Sequence, residues 1–270
     1  MPGRPAEPKP EVLALGPHRL AIRQLRNQAA GAASVGPILL FLHEGLGSIG
    51  QWRDVPDALA EATGLPALVY DRIGHGASSR LEGKRPPDFM QREAWETLPL
   101  LLDRLGISQV VPIGHSDGGT IALFFAAAFP ERVPGVVTEA AHVFVEEETL
   151  TGIRKAVEAF ETGDLKPRLQ RYHGENTETM FRGWADVWLS AGFRGFSALA
   201  SLPKIACPAL VLQGVEDEYG TKAQVEAIRS GIAGPVEAHL IANCGHAPHA
   251  QARASVLPLI ADFVRRVVDG

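Results

Sequence analysis

The sequence predicts an α/β fold in which helices flank a mostly parallel sheet of eight strands, and three observations support that prediction. Eight apolar runs of strand length lie along the 270 residues, and from the third run onward helical patterns mostly separate them. The runs ILLFL, ALVY and ALVLQ are apolar without alternation, which is typical of strands covered on both faces. The segment DGGTIALFFAAAFP is apolar nearly all round, so it predicts a helix buried against the centre of the sheet.

The strands follow one another along the chain, and one long interval interrupts them. They are predicted at 12–15, 19–25, 37–42, 66–70, 109–113, 133–138, 208–213 and 236–241. The Pro-rich residues 1–10 predict a loose tail. The interval 142–203 is far longer than the usual connection of about two to six residues, and its periodicity is helical. We therefore predict a core formed by 1–141 and 204–270, with 142–203 inserted after the sixth strand as a helical lid.

Aromatic residues are frequent in the predicted lid. Most of them are expected to form its own small core, because large apolar side chains are usually buried. A minority should face the cleft below, and Trp184, Trp188 and Phe144 are the candidates for contacting a substrate. Their character predicts an apolar or aromatic small molecule as that substrate.

Charge and composition exclude several classes of partner. A formal charge of −5 provides no basic field for nucleic acid or an anionic membrane surface. No apolar stretch reaches about 18 residues and the first residues lack the apolar core of a secretory signal, so we expect a cytoplasmic protein. Cys207 precedes one strand and Cys244 follows its neighbour, which separates them by roughly 17–20 Å and predicts free thiols. A homodimer is left open as the assembly.

A candidate nucleophile lies where the fifth strand meets the buried helix. The strand QVVPI runs into GHSDGG, in which Gly114, Ser116 and Gly118 fit the pattern G-x-S-x-G. A sharp turn at this junction would lift the serine hydroxyl above the sheet, and glycines leave room for the helix to pack back. The helix would also direct its positive N-terminal end at the serine. The sequence therefore predicts a nucleophile elbow.

A nucleophilic serine needs a base, and the base needs an orienting acid. His246 follows the last strand and Asp217 follows the seventh, so both lie beyond the carboxyl ends of strands, where the loops of a parallel sheet meet. Asp217 is the preferred acid. Glu216 and Glu218 flank it, and Glu139 at the end of the sixth strand is the main alternative.

With these residues in view, the chain resembles the α/β-hydrolase family, in its lidded subgroup of esterases, lactonases and carbon–carbon bond hydrolases. The resemblance covers about residues 18 to 268, and its marks are LHEGLGS, YDRIGHGAS, GHSDGG, GVED and CGH in the family's order. It implies a cofactor-independent serine hydrolase that cleaves a small to medium carboxylic ester or lactone through an acyl-enzyme. A meta-cleavage-type carbon–carbon hydrolase, a thioesterase and a non-catalytic ligand receptor are the alternatives.

The resemblance also implies an oxyanion hole formed by the backbone N–H groups of Gly45 and Asp117. Glu44 departs from the family's usual glycine at its position. A carboxylate aimed at the site would oppose an oxyanion, so we expect its side chain to turn away and pair with Arg53 or Arg72. Pro112 is a second departure, because proline removes a hydrogen bond from a central strand.

Two other motif interpretations compete with this one. Gly45, Gly47 and Gly50 spell G-x-G-x-x-G, and Asp71 follows where a ribose-binding carboxylate would be expected. The catalytic loops would occupy the same sheet edge, so we interpret Gly45 as an oxyanion donor, Gly47 and Gly50 as turn and packing residues, and Asp71 as a loop anchor. The string Cys244-x-His246-x-x-His249, with His43 or His115, could bind a metal ion. The triad already uses His246, so we expect neither metal nor cofactor.

Overall fold

The computed structural model describes residues 10–25 and 36–269. Its strands form one sheet in the order β1-β2-β4-β3-β5-β6-β7-β8. They are β1 (Glu11–Leu15), β2 (His18–Leu25), β3 (Ile38–Leu42), β4 (Ala67–Tyr70), β5 (Val110–His115), β6 (Val136–Glu139), β7 (Ala209–Gly214) and β8 (Val236–Ile241). Only β2 pairs antiparallel with its neighbours β1 and β4, and the other pairs are parallel. The predicted mostly parallel eight-stranded sheet is confirmed.

The strand boundaries agree closely with the sequence analysis, and the differences have local causes. β6 begins at Val136, after Pro134 and Gly135, where the apolar run had suggested 133. β5 continues to His115, because its last residues still pair with β3 and β6. The predicted tail, apart from residue 10, lies outside the residues described.

Helices cover both faces of the sheet. They are α1 (Val55–Thr63), α2 (Phe89–Arg92), α3 (Leu98–Leu105), α4 (Asp117–Ala128), α5 (Glu147–Thr162), α6 (Leu165–His173), α7 (Thr177–Leu189), α8 (Lys222–Gly231), α9 (Pro248–Gln251) and α10 (Arg253–Asp269). α1 and α10 bury their apolar faces in one core, and α3, α4 and α8 bury theirs in the other. Nearly every residue of α4 is buried, as its apolar sequence predicts.

Pro112 is accommodated in β5 without loss of the strand. Its Cα lies opposite Leu40 of β3, while the pairing of β5 with β6 begins only at the next residue, Ile113. The missing N–H therefore falls where the ladder toward β6 has not yet begun.

The segment between β6 and β7 contains α5, α6 and α7. Its two ends meet above the sheet, since Phe144 bridges Ser197 and Ala198 N donates to Val143 O at 2.8 Å. Apolar side chains of α5 and α7 belong to the same core cluster as those of α4, so the segment packs against the rest of the protein through that cluster. The division at 142 and 203 into core and lid stays a prediction. None of the helices in the described ranges is long and apolar enough to cross a membrane.

Candidate active site

Ser116 lies at the turn between β5 and α4 in a strained backbone conformation. Its φ of 54° and ψ of −119° fall in a region that L residues rarely adopt. Two glycines make this turn possible: a Cβ at Gly114 would collide with the backbone of Gly118, and one at Gly118 would collide with that of Leu42. The structure therefore has the predicted elbow, with the serine at the first turn of a buried helix.

His246 and Asp217 come together from the loops after β8 and β7. His246 Nδ1 lies 2.8 Å from Asp217 Oδ1, and the same oxygen accepts a hydrogen bond from Tyr219 N at 2.9 Å. The Asp217 side chain is 1% exposed. Because Nδ1–H donates to the carboxylate, the Nε2 of a neutral His246 is left as the acceptor that a general base requires.

Electrostatics favour a charged His246 beside an ionised Asp217. Burial alone would lower the pKa of His246, but the hydrogen bond and the charge of Asp217, with the nearby charge of Glu44, raise it above its usual value. Burial likewise opposes ionisation of Asp217, yet its hydrogen bond with His246 holds the pKa of that carboxyl below its usual range. The pair is thus suited to stabilise the imidazolium that forms when a serine gives up its proton.

Glu139, the main alternative acid, is occupied elsewhere. Its Oε2 accepts hydrogen bonds from His249 N at 2.8 Å and from His249 Nδ1 at 2.9 Å. Both side chains are buried, and the His249 ring lies tilted against that of Trp52 with ring centroids 4.7 Å apart. This second His–carboxylate pair fixes α9, which begins two residues after His246. Of the two candidate acids, only Asp217 lies against the imidazole of His246.

Ser116 and His246 line one small cavity of about 40 Å³. Its other lining residues are Glu44, Gly45, Leu46, Asp117, His142, Thr149, Ile153, Trp184, Trp188 and Tyr219. Among the described residues there is no direct hydrogen bond between the Ser116 hydroxyl and His246, a contact that is often long in the free state of such sites. The nucleophile and the base therefore face one reaction space.

The amides of Gly45 and Asp117 border the same cavity and are free to bind an oxyanion. Neither N–H has an acceptor within the part of the chain that the structure describes. Gly45 must lack a side chain, because a Cβ there would collide with the indole of Trp184. The two amides that are predicted to donate thus lie in the loop after β3 and at the start of α4, beside the cavity.

The aromatic candidates divide into two groups. Trp184 and Trp188, both from α7, line the cavity opposite the serine. Phe144 does not line it; it packs half-buried against the core and bridges Ser197 at the base of the insertion. The difference follows from position, since Phe144 lies where the chain leaves the sheet, whereas α7 crosses above the strand ends.

The side chain of Glu44 does not point as expected. Its backbone O accepts a hydrogen bond from Arg72 Nη2 at 2.6 Å, but within the described ranges its carboxylate has no ion pair with Arg53 or Arg72. The carboxylate lines the cavity, where its nearest donor is Leu46 N at 3.4 Å. The expected pairing with an arginine side chain is wrong, because Arg72 is held by the backbone of residue 44 instead.

Asp117 adds a second carboxylate to this cavity. Both of its carboxylate oxygens are buried. Burial raises the pKa of Asp117 and of Glu44. The charges of Arg72 and Arg85 and a hydrogen bond with the Trp188 side chain act against this rise for Asp117, and Leu46 N does so for Glu44. Two carboxyl groups thus face the reaction space, and among the residues described neither forms an ion pair with a lysine or an arginine.

A family model described as alpha/beta hydrolase fold matches residues 37–192. The chain belongs to the α/β-hydrolase family. It is similar to "Serine hydrolase BPHL" of Homo sapiens, at 27% identity over 208 residues that cover 73% of this chain and 69% of that protein. It is also similar to a "Proline iminopeptidase" of Lactobacillus delbrueckii subsp. bulgaricus, at 22% identity over 273 residues that cover 87% of this chain and 92% of that protein.

A solved structure shows the same fold over nearly the whole length. The enol-lactonase from Burkholderia xenovorans superimposes with a TM-score of 0.70 at 20% identity, covering 94% of this chain and 99% of that one. With the family model and the hydrolase relatives, this agreement makes the protein a hydrolase of the α/β-hydrolase family.

Two ring-bearing residues of this hydrolase's cavity, His142 and Tyr219, were not found from the sequence. His142 lies just beyond β6 with Nε2 3.0 Å from Tyr219 O, and burial lowers its pKa to about 4, so it is neutral. The ring of Tyr219 lies 4.6 Å from that of His246, between centroids. Tyr219 follows Asp217 by two residues, which was the only available signal; His142 had none.

Asp71, the acid that would bind a ribose in the dinucleotide interpretation, is already hydrogen-bonded to backbone N–H groups. Asp71 Oδ1 accepts a hydrogen bond from Ile49 N at 2.7 Å and Oδ2 accepts one from Ala77 N at 2.9 Å. Gly50 lies against the ring of Tyr172 and Gly45 against Trp184. Asp71 is therefore the loop anchor that the sequence analysis expected.

The Cys and His residues of the possible metal string have separate partners. His246 pairs with Asp217 and His249 with Glu139, while Cys244 Sγ lies 3.6 Å from Gly245 O. Within the described ranges, no three His, Cys, Asp or Glu side chains are grouped to hold a metal ion.

Proposed function

We propose that this protein is a cofactor-independent serine hydrolase that cleaves small to medium carboxylic esters or lactones of apolar or aromatic character. The observation that carries the proposal is the meeting of strained Ser116, the His246–Asp217 pair and two free amides around one cavity. The indoles of Trp184 and Trp188 on its wall support an apolar acyl group, and the small volume supports a short one.

In the proposed reaction, Ser116 Oγ attacks the carbonyl carbon while His246 Nε2 takes the hydroxyl proton. The carbonyl electrons move to oxygen, and the amides of Gly45 and Asp117 stabilise that oxyanion. When the carbonyl re-forms, the bond to the leaving group breaks and His246 returns the proton to it. Water then attacks the acyl-enzyme with His246 as base again, which releases the acid and restores Ser116. Each oxyanion donor is worth about 10²–10³-fold in rate in comparable sites.

A panel of substrates tests this proposal without a cofactor. We expect p-nitrophenyl acetate and butyrate to be hydrolysed with burst kinetics, and the octanoate more slowly, because the cavity is small. Lactones, thioesters and ring-fission diketones in the same panel distinguish the bond types. No turnover of any ester or lactone would contradict the proposal and favour a ligand receptor, whereas preferred turnover of a diketone or thioester would identify those alternatives.

The two carboxyl groups that line the cavity favour a second candidate, an ester or amide whose acyl group bears an ammonium. Glu44 and Asp117 would supply opposite charge to the ammonium, and aromatic rings beside them add cation–π attraction. A neutral acyl group would leave both carboxyls without an ion pair in the cavity. The similarity to a protein named a proline iminopeptidase accords with this candidate.

Asp117→Asn tests the second candidate with two isosteric substrates. The benzyl ester of alanine carries an ammonium where the benzyl ester of lactic acid carries a hydroxyl. We expect the variant to lower the alanine-to-lactate ratio of kcat/KM by roughly 10-fold to 100-fold, because a buried charge pair is lost while the backbone donor remains. Asp186→Asn on the exposed side of α7 is the matched control. An equal ratio in the wild type and Asp117→Asn would remove the candidate.

A further inference from the structure

A larger cleft of about 570 Å³ opens between the lid and the core beside the catalytic cavity. Its walls come from the loop after β3, the 3-10 turn Ile49–Trp52, α6 and the chain just after His246. Glu44 lines both spaces and, among the residues described, is the only one that they share. The cleft therefore adjoins the reaction space, with the Glu44 side chain between them.

The charge of this cleft is opposite to that of the chain. Three arginines line it, Arg53, Arg168 and Arg171, whereas the formal charge of the protein is −5. Glu44 is the only carboxylate of the lining, and burial raises its pKa. Arg168 has a partner in Asp164 at 3.6 Å, but that carboxylate is 78% exposed and lies outside the lining. The cleft thus presents an excess of guanidinium groups to a ligand.

The arginines are held on a fixed frame. Tyr172 packs on Gly50, and His173 accepts a hydrogen bond from Gly76 N at 2.9 Å while its Nε2 lies 2.9 Å from Leu46 O. These contacts tie the end of α6 to the core. Arg53 has a φ of 53°, a strained conformation that non-glycine residues keep only where the surroundings impose it. The backbone positions from which the three exposed side chains extend are therefore set before a ligand arrives.

The cleft borders the loop that carries the base. His246 lines the catalytic cavity, and Ala247 and His249 of the same loop line the cleft. In the proposed reaction His246 protonates the leaving group, so a leaving group that extends along this loop from the catalytic cavity reaches the cleft. Trp184 and Trp188 line the catalytic cavity and not the cleft.

We propose that this cleft binds an anionic group, a carboxylate or a phosphate, carried by the leaving-group side of the substrate, through Arg53, Arg168 and Arg171. The inference rests on the proposed serine hydrolase and specifies its substrate. Guanidinium groups match both anions with paired N–H donors, so the two share one recognition chemistry.

The test compares acetate esters that differ only in the leaving phenol. 4-Acetoxybenzoate carries the carboxylate, its methyl ester is the neutral match, and 4-acetoxyphenyl phosphate carries the phosphate. The measured quantity is the anionic-to-neutral ratio of kcat/KM for the wild type, Arg53→Gln and the double variant Arg168→Gln/Arg171→Gln. Arg92→Gln/Arg154→Gln removes two exposed arginines far from the cleft and is the control.

We expect the ratio to fall roughly tenfold in the double variant and less in Arg53→Gln, and to fall with added NaCl in the wild type but not in the double variant. The anion whose anionic-to-neutral ratio of kcat/KM falls more, carboxylate or phosphate, is identified as the natural one. Equal ratios in the wild type and in both cleft variants, or an equal fall in the control, would overturn the inference.

Failure of the cleft proposal can be distinguished from failure of the proposed function. If no acetate ester is hydrolysed, the hydrolase proposal fails and the cleft is tested by calorimetric binding of 4-hydroxybenzoate and of inorganic phosphate. Binding that the double variant weakens by about tenfold supports the cleft, and no binding of either anion to the wild type overturns it.

Discussion

Ser116→Ala is expected to lower kcat for p-nitrophenyl acetate by about 10⁴-fold or more, which is the usual cost of removing a nucleophilic serine. The hydroxyl oxygen forms the covalent bond to the acyl group, and no other hydroxyl lies in the strained turn above α4. The residual rate should show no burst, because an acyl-enzyme cannot form. Stopped-flow measurement of the first turnover checks both points.

The fold should tolerate this substitution. The strain at residue 116 comes from its backbone, and the side chain makes no hydrogen bond among the residues described. We expect a Tm within a few degrees of the wild type. Ser230→Ala, on the exposed face of α8, is the matched control and should keep full activity.

A covalent probe gives an independent check. A fluorophosphonate should add one mass increment to the wild type, on the peptide that contains Ser116, and none to Ser116→Ala. Labelling elsewhere, or burst kinetics in Ser116→Ala, would show that another group is the nucleophile.

The sheet could be predicted because its strands carry a strong local signal. β3, β4 and β7 are buried on both faces, so their sequences are apolar at nearly every position, with Gln213 of β7 as the polar exception, and turn residues mark their ends. The start of β6 was misplaced at 133, because Pro134 and Gly135 delay the strand to Val136, whereas the predicted bounds of the half-buried β8 agree with the structure.

The meeting of the proposed nucleophile and base could also be predicted, because the fold restricts the residues around them. The elbow needs small residues at 114 and 118, where a Cβ would strike backbone, and this requirement is visible as a motif. The loops after β5, β7 and β8 meet because parallel strands end on one side of the sheet. Topology alone therefore brought Ser116, Asp217 and His246 to the same edge.

The directions of side chains in the loops could not be predicted. Glu44 was expected to pair with an arginine side chain, but Arg72 binds the backbone O of Glu44 and leaves the carboxylate in the cavity. His249 showed no pattern that would connect it to Glu139, because the two are far apart in sequence and meet only through the sheet. Long-range contacts of this kind are properties of the packed fold and leave no local periodicity.

Glu44 and Asp117 determine the electrostatic balance of the site. Glu44 and Asp117 would oppose an oxyanion, yet both border the cavity in which it would form. The charge of Glu44 also raises the pKa of His246. A cationic substrate group, by neutralising these carboxyls, would remove the opposition and favour the neutral base, so binding and reactivity would be linked in the same two residues.

Asp217→Ala is expected to lower kcat by about 10⁴-fold, because the imidazole of His246 loses the group that fixes its tautomer and stabilises its charge. Glu139→Gln is the matched comparison. It should retain kcat within about tenfold, since Glu139 lies against His249 and not His246, while the free energy of unfolding falls by about 1–3 kcal/mol as a buried charged hydrogen bond weakens. Steady-state kinetics and urea unfolding of both variants measure these effects.

The pH dependence separates a catalytic acid from a structural one. Asp217 raises the pKa of His246, and kcat/KM requires the neutral imidazole, so activity falls as the pH drops through that pKa. Removing Asp217 should lower the pKa and move the acidic limb of the residual kcat/KM to lower pH, whereas Glu139→Gln should leave that limb in place. If Glu139→Gln moved the limb and Asp217→Ala did not, Glu139 would act on the base through His249, and the direct contact of Asp217 at 2.8 Å would be a packing feature only.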